Sequence, residues 1–193
     1  MYAAEADPYC YPGTTVLINR ADLRDQTALA DFETEMVSQR FREPLPSGRL
    51  SARHYCAIHR HLFQDVYSWA GEVRTVRITK QGSAFCYPEH IDREMRRLFG
   101  DLASHKRFRG LKSVDFADRA AHFLAELNAI HPFREGNGRA QLSFLVALAH
   151  LAGHPLDEER LEPVEMLRAM IQSFSGDERP LARSIRRLLG SAP

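Results

Sequence analysis

Cysteine is scarce in this chain: Cys10, Cys56 and Cys86 are the three among 193 residues. They are too few and too scattered for a disulfide framework or a zinc knuckle. An excess of charge is missing too. The 26 Lys and Arg nearly balance the 25 Asp and Glu, for a formal net charge of +1. No global field therefore favours nucleic acid or a membrane surface as a partner. Long apolar runs are absent, and none approaches the ~20 residues of a membrane span. The first residues, Met1-Tyr2-Ala3-Ala4-Glu5-Ala6-Asp7, lack the basic start and apolar block of a signal peptide. A cytoplasmic protein is expected, with secretion as an effector left open because effectors do not always carry a classical signal. There is no internal repeat and no low-complexity tract.

What is present is ordinary globular usage, 44% hydrophobic and 26% charged. A chain of this length buries roughly 70% of its extended-chain surface, so one domain over residues 1–193 is expected. Residues 1–14, rich in Pro, Tyr and Gly, read as an extended N-terminal arm. A helix is predicted over 23–40 and a loop over 41–50, where Pro44, Pro46 and Gly48 fall. Ser51 is a candidate N-cap for a helix to about Asp65, with Tyr55, Ile58, Leu62 and Phe63 as its buried stripe. The pattern then turns β-like. Val73, Thr75, Val76, Ile78 and Thr79 are β-branched, Gln81-Gly82-Ser83 signals a turn, and 84–87 returns. A β-hairpin is predicted over 74–87. Helices are predicted over 88–103 and 115–130, joined by a basic connection. Residues 142–152 are apolar nearly all round, as in a centrally buried helix, with Gly153 ending it. Helices over 161–175 and 178–190 close the chain. The class is all-α: a helical bundle around a central buried helix, with one hairpin.

One stretch stands apart: His131-Pro132-Phe133-Arg134-Glu135-Gly136-Asn137-Gly138-Arg139. Pro132 biases His131 away from helical backbone, so the preceding helix should stop there. An imidazole suits a general base near neutral pH. Phe133 anchors the loop. Glu135 is a hard carboxylate beside a candidate phosphate site, which suits Mg²⁺. Gly136 and Gly138 allow successive backbone N–H groups to point inward at an anion. The following helix begins here and adds its unpaired N–H groups. Asn137 either donates to phosphate or holds the turn. Arg139, a cation in a first helical turn, is locally unfavourable unless an anion is bound. A purely structural account of the same residues exists: a His-Pro loop, a glycine-rich N-cap and a Glu135–Arg139 ion pair.

Other features have plainer readings. On a helix His59 and His61 diverge by about 200°, so they cannot share one ion; with His54 they read as ordinary surface and core histidines. Lys106, Arg107, Arg109 and Lys112 read as a solvated basic loop, and Trp69 as a core anchor.

The nine residues resemble the signature of the Fic family, His-x-Phe-x-(Asp/Glu)-Gly-Asn-Gly-Arg, at every position. Tyr67-Ser68-Trp69-Ala70-Gly71-Glu72-Val73-Arg74 is similar to the family's Tyr-x-Trp-Ala-Gly-x-x-Arg segment. Tyr9-Cys10-Tyr11-Pro12-Gly13 is similar to the start of the bacterial toxins and effectors regulated by a separate antitoxin. The resemblance covers roughly residues 7–190. It implies a Fic fold and transfer of AMP from ATP to a Tyr, Ser or Thr hydroxyl of a target protein. By the same resemblance His131 is the base and Glu135 holds Mg²⁺. Arg134, Gly136, Asn137, Gly138, Arg139 and Lys80 bind the nucleotide. The hairpin becomes a target-docking flap using Ile78, Thr79, Gly82 and Phe85. The family often continues Gly-Asn-Gly-Arg-x-x-Arg, and here the last position is Leu142. The family's inhibitory pattern, Ser/Thr-x-x-x-Glu-Gly/Asn, meets one five-residue match, Ser68 to Glu72, followed by Val73 and therefore rejected. The resemblance thus implies a small separate antitoxin that supplies the glutamate, and an ATPase subunit of type II topoisomerase as a target. The rival readings are donation of UMP, phosphate or phosphocholine, removal of AMP, or a degenerate binding protein.

Overall fold

The computed structural model describes residues 7–80 and 83–189, without the side chains of Lys80 and Ser83. Gly82 of the expected flap and residues 1–6 of the expected arm lie outside the described residues.

Local signals set most helix ends. Helix α1 (Gln26–Phe41) starts where the Asp25 side chain accepts from Ala28 N at 2.9 Å. Helix α2 (Ala52–Phe63) starts where Ser51 accepts from His54 N, the expected cap. Its buried face carries Tyr55, Ile58, Leu62 and Phe63, as the periodicity predicts. Helix α3 (Pro88–Ser104) opens on proline, whose missing N–H costs nothing at a first helical position. Helix α4 (Ser113–Ile130) ends before His131, and α5 (Asn137–Ala152) ends at Gly153, whose φ of 87° is left-handed. Helices α6 (Pro163–Phe174) and α7 (Arg179–Leu188) follow.

Helix α5 runs through the centre and packs against α2 and α4. Its Phe144 sits within 5.4–5.6 Å of the rings of Phe99, Tyr55 and Phe123. Ala140, Phe144, Leu145 and Ala149 are fully buried, as expected of a helix that is apolar all round. Helix α7 seals the far side against α4 and α6. Trp69 is buried and stacks on Tyr67 at 4.3 Å, a core anchor.

Two expectations need correction. The hairpin is shorter than 74–87. Strand β1 (Thr79–Lys80) pairs antiparallel with β2 (Ser83–Ala84), in register Thr79 with Ala84. The pairing stops early because the Val76 and Cys86 carbonyls accept from the Arg74 side chain instead. Nor is the described part of the arm extended. Cys10 bridges to Leu17, and Ile18 N donates to Tyr9 O at 2.8 Å. Pro12 and Gly13 supply the turn, and Tyr11, Val16 and Leu17 bury themselves on the core. No helix among the described residues is long and apolar enough to cross a membrane.

The candidate active site

A cavity of about 680 Å³ opens beside the N-terminus of α5. Its polar wall is the loop after α4 and the first turns of α5. Its other wall is α6, and Ile78, Thr79 and Phe85 of the hairpin form a rim.

The loop begins with strain. His131 caps α4 in a left-handed conformation, φ 48° and ψ 62°. A non-glycine residue there costs roughly 1 kcal/mol or more. The pre-proline bias had pointed to extended backbone; tertiary contacts select the left-handed alternative. The chief contact is Arg74, which is 1% exposed and has no carboxylate partner among the described residues. It donates to the carbonyls of His131 at 2.8 Å, Val76 at 2.5 Å, Cys86 at 2.6 Å and Ile130 at 3.3 Å. Its own N–H donates to Pro132 O at 2.9 Å. A cation among the last carbonyls of α4 suits the helix dipole, which offsets part of its desolvation. Burial still holds its pKa below the ordinary arginine value. One side chain thus ties the hairpin to the loop. The Phe85 ring stacks on the His131 imidazole at 3.8 Å and 15°.

The loop is then clamped from inside. Phe133 is fully buried, and His59 stacks on it at 3.8 Å. His59 Nδ1 accepts from Gly71 N and its Nε2 donates to Glu135 O, both at 2.9 Å. Burial pushes the His59 pKa down to about 4. His54 and His61 are likewise bonded to the Pro46 and Arg40 carbonyls. Asn137 is 2% exposed, and its side chain bonds both ways to Phe133: Oδ1 accepts from its N at 3.0 Å and Nδ2 donates to its O at 2.8 Å. The Asn137 side chain therefore holds the turn, the second of its two expected roles. Its backbone N–H, in the first turn of α5, faces no intrahelical acceptor.

The two motif glycines differ. Gly136 has φ 79°, and a Cβ there would meet Phe63 Cζ at 2.3 Å. Gly138 has no such neighbour within 4 Å, and it lines the cavity. Glycine at 138 leaves open space at the helix N-terminus, whose unpaired N–H groups suit an anion. The half-exposed Glu135 accepts from Gly136 N at 2.8 Å and lies 3.6 Å from Arg139 Nη2. It is the one carboxylate among the described residues lining the cavity. That donor set fits Mg²⁺, which takes one or two carboxylates and completes its shell with phosphate and water.

Arg139 lies with its guanidinium 4.7 Å from the Phe63 ring and donates to Glu33 Oε1 at 2.7 Å. The other Glu33 oxygen accepts from the Tyr67 hydroxyl. Burial, together with the Glu33 charge, pushes the Tyr67 phenol well above its ordinary pKa, so it stays a donor. Arg134 lines the cavity, but its guanidinium donates to Asp7 Oδ2 at 2.9 and 2.7 Å. Lys80 belongs to β1, and its side chain lies outside the described residues. Sequence reasoning missed Glu33, His59 and Asp7, which reach the motif across 106, 76 and 127 residues. It also missed the cavity role of α6. Arg74 was quoted in a motif but given no role.

Fold and site define a helical bundle whose central helix opens its N-terminus onto a cavity, beside a strained histidine. The Fic/DOC family pattern matches residues 49–149. The chain belongs to the Fic/DOC family. It is 56% identical over 189 residues to the probable protein adenylyltransferase y4lH of Sinorhizobium fredii, covering 97% of this chain and 98% of that one. It is 39% identical to the protein adenylyltransferase VbhT of Bartonella schoenbuchensis, across 97% of this chain and 40% of that protein. Among solved structures it is similar to the effector BepC of Bartonella tribocorum with bound AMPPNP. That match has TM-score 0.85 and 27% identity, over 96% of this chain and 97% of the other. The Fic fold expected from the motif is the fold observed.

Proposed function

We propose that this chain is a protein adenylyltransferase that moves AMP from ATP to a Tyr, Ser or Thr hydroxyl of a target protein. The observation that carries the reading is the cavity. It is bordered by the His131 imidazole, the Glu135 carboxylate and the open cradle of Gly136 to Arg139. The similarity to the probable adenylyltransferase y4lH and the adenylyltransferase VbhT, and the AMPPNP bound in BepC, support the same reading.

In this mechanism His131 takes the proton of the target hydroxyl. The oxygen attacks the α-phosphorus, the bond to the leaving diphosphate breaks, and pyrophosphate departs. The first-turn N–H groups at Asn137, Gly138 and Arg139 hold phosphate oxygens, and the Arg139 guanidinium offsets their growing charge. Glu135 would hold Mg²⁺, which would supply further neutralisation of phosphate charge. The hairpin docks an extended target segment by strand addition at the edge of β1 that is unpaired among the described residues, near Ile78 and Thr79. Phe85, stacked on the base, orients the imidazole toward that segment.

We infer a single domain acting in the bacterial cytoplasm or delivered from it. The family resemblance further proposes a separate antitoxin and a topoisomerase ATPase subunit as target. Ser68 to Glu72 lies in turns and irregular chain after α2, not in a helix, so it supplies no inhibitory helix of its own. One observation favours a second reading. Leu142 lines the cavity with Leu145, Leu161 and Met166, at the position where the family pattern it resembles often has arginine, which suits a donor with fewer distal phosphates.

The test is incubation of wild type and His131→Ala with labelled ATP, UTP and CDP-choline in bacterial lysate, followed by mass spectrometry of modified proteins. AMP adducts made by wild type and lost by roughly 10³-fold in His131→Ala are expected. A phosphocholine adduct selects the second reading, a UMP adduct removes it because UTP keeps both distal phosphates, and no adduct from wild type removes both readings.

A further inference from the structure

We propose that Glu33 is the positioning residue of Arg139, fixing its guanidinium beside the phosphate cradle before nucleotide arrives. The proposal rests on the reading of that cradle as the site for ATP phosphates.

Glu33 stands where helical packing alone would put a hydrophobe. Leu29 and Val37, four residues to either side, are the buried residues of α1, so Glu33 occupies the middle of the core-facing stripe. Its side chain is 13% exposed. A carboxylate there is unfavourable unless partnered, and both of its oxygens are partnered, by Arg139 and by Tyr67. Tyr67 is itself packed in the core: it is 2% exposed and stacked on Trp69. The acceptor for Arg139 is thus built into a rigid frame of α1, Tyr67 and Trp69.

The pairing leaves Arg139 competent. Only its Nη2 donates to Glu33. A guanidinium has five N–H donors, so the others remain for the cavity that Arg139 lines. The Phe63 ring supports the guanidinium from a second direction. A long side chain held on two sides has already lost the rotamer freedom that binding would otherwise remove. A simple surface ion pair does not describe this, because Glu33 is mostly buried. A competing anion does not describe it either, because one contact of five need not break for phosphate to bind.

Geometry and charge make opposite forecasts for two substitutions. Glu33→Gln keeps the reach and an acceptor but loses the charge. Glu33→Asp keeps the charge but loses one methylene of reach. We expect Glu33→Asp and Glu33→Ala to raise the KM for ATP about tenfold with kcat little changed, a loss of uniform binding. Glu33→Gln should recover most of the wild-type KM. The Kd for AMPPNP with Mg²⁺ should follow the same order in the full chain. Unchanged KM and Kd with only a lower Tm would make Glu33 a packing residue and overturn the proposal. So would a lower KM in Glu33→Gln, the signature of a competitor. If wild type binds AMPPNP but transfers no AMP, the adenylyltransferase reading fails, while Kd still decides the role of Glu33. If Glu33→Ala does not fold, the Asp and Gln pair decides it.

Discussion

The two walls of the cavity are built on opposite principles. The polar wall, residues 131–139, is loop and helix start. Nearly every group in it is held by a partner from a distant segment: Arg74, His59, Glu33 or Asp7. The apolar wall, α6, holds its own backbone by helical bonding and leaves Val164, Leu167 and Ile171 exposed at 62, 60 and 48%. A loop cannot satisfy its own backbone, so buried side chains must do it. The precision of the polar wall is therefore imported and fragile, whereas the apolar wall is local and tolerant.

Breaking the imported support should have the largest effect. Arg74→Ala strands several buried carbonyls and should cost about 4 kcal/mol in urea denaturation. A cost under about 1 kcal/mol would mean the loop holds itself. Next is protonation of His59, whose pKa falls to about 4 in the fold. A lowered histidine pKa means the unfolded chain binds the proton more readily. Its contribution is complete above about pH 6.5 and is lost as pH falls from there toward 4, some 3 kcal/mol in all. Unfolding measured across that window should show the slope in wild type, and a flatter curve in His59→Gln.

The motif glycines sharpen the comparison within the polar wall. Gly136→Ala collides with Phe63 and should lower stability by about 3 kcal/mol. Gly138→Ala meets open space, so stability should hold within about 1 kcal/mol. It should instead weaken AMPPNP binding about tenfold, because the methyl fills the anion cradle. Calorimetry that found both variants equally unstable would remove the distinction. The smallest effect belongs to the apolar wall, where Leu167→Ser should change stability by no more than about 0.5 kcal/mol. A larger loss would show that α6 is core rather than cavity wall.

Much of the scaffold was legible because its signals are local. Ser51 caps α2, Pro88 opens α3, Gly153 closes α5, and the apolar run at 142–152 is buried. The motif residues were legible as chemistry because their spacing is contiguous. The hairpin was legible as a turn between β-branched runs, but its length was not, since Arg74 takes the carbonyls that longer pairing would need. The amphipathic pattern of α6 could not tell a face against the core from a face against a cavity. Both exclude polar side chains.

By itself the sequence determined where most helices start and stop, which helix is central, and which contiguous stretch carries the family signature. Those are properties of neighbouring residues, set by dihedral preference, capping and period. Tertiary structure alone decided that His131 is left-handed, that the Asn137 side chain serves the loop, and that Glu33 holds Arg139. Each of these depends on a partner elsewhere in the chain, and nothing in the pattern of either segment encodes which partner the fold will bring.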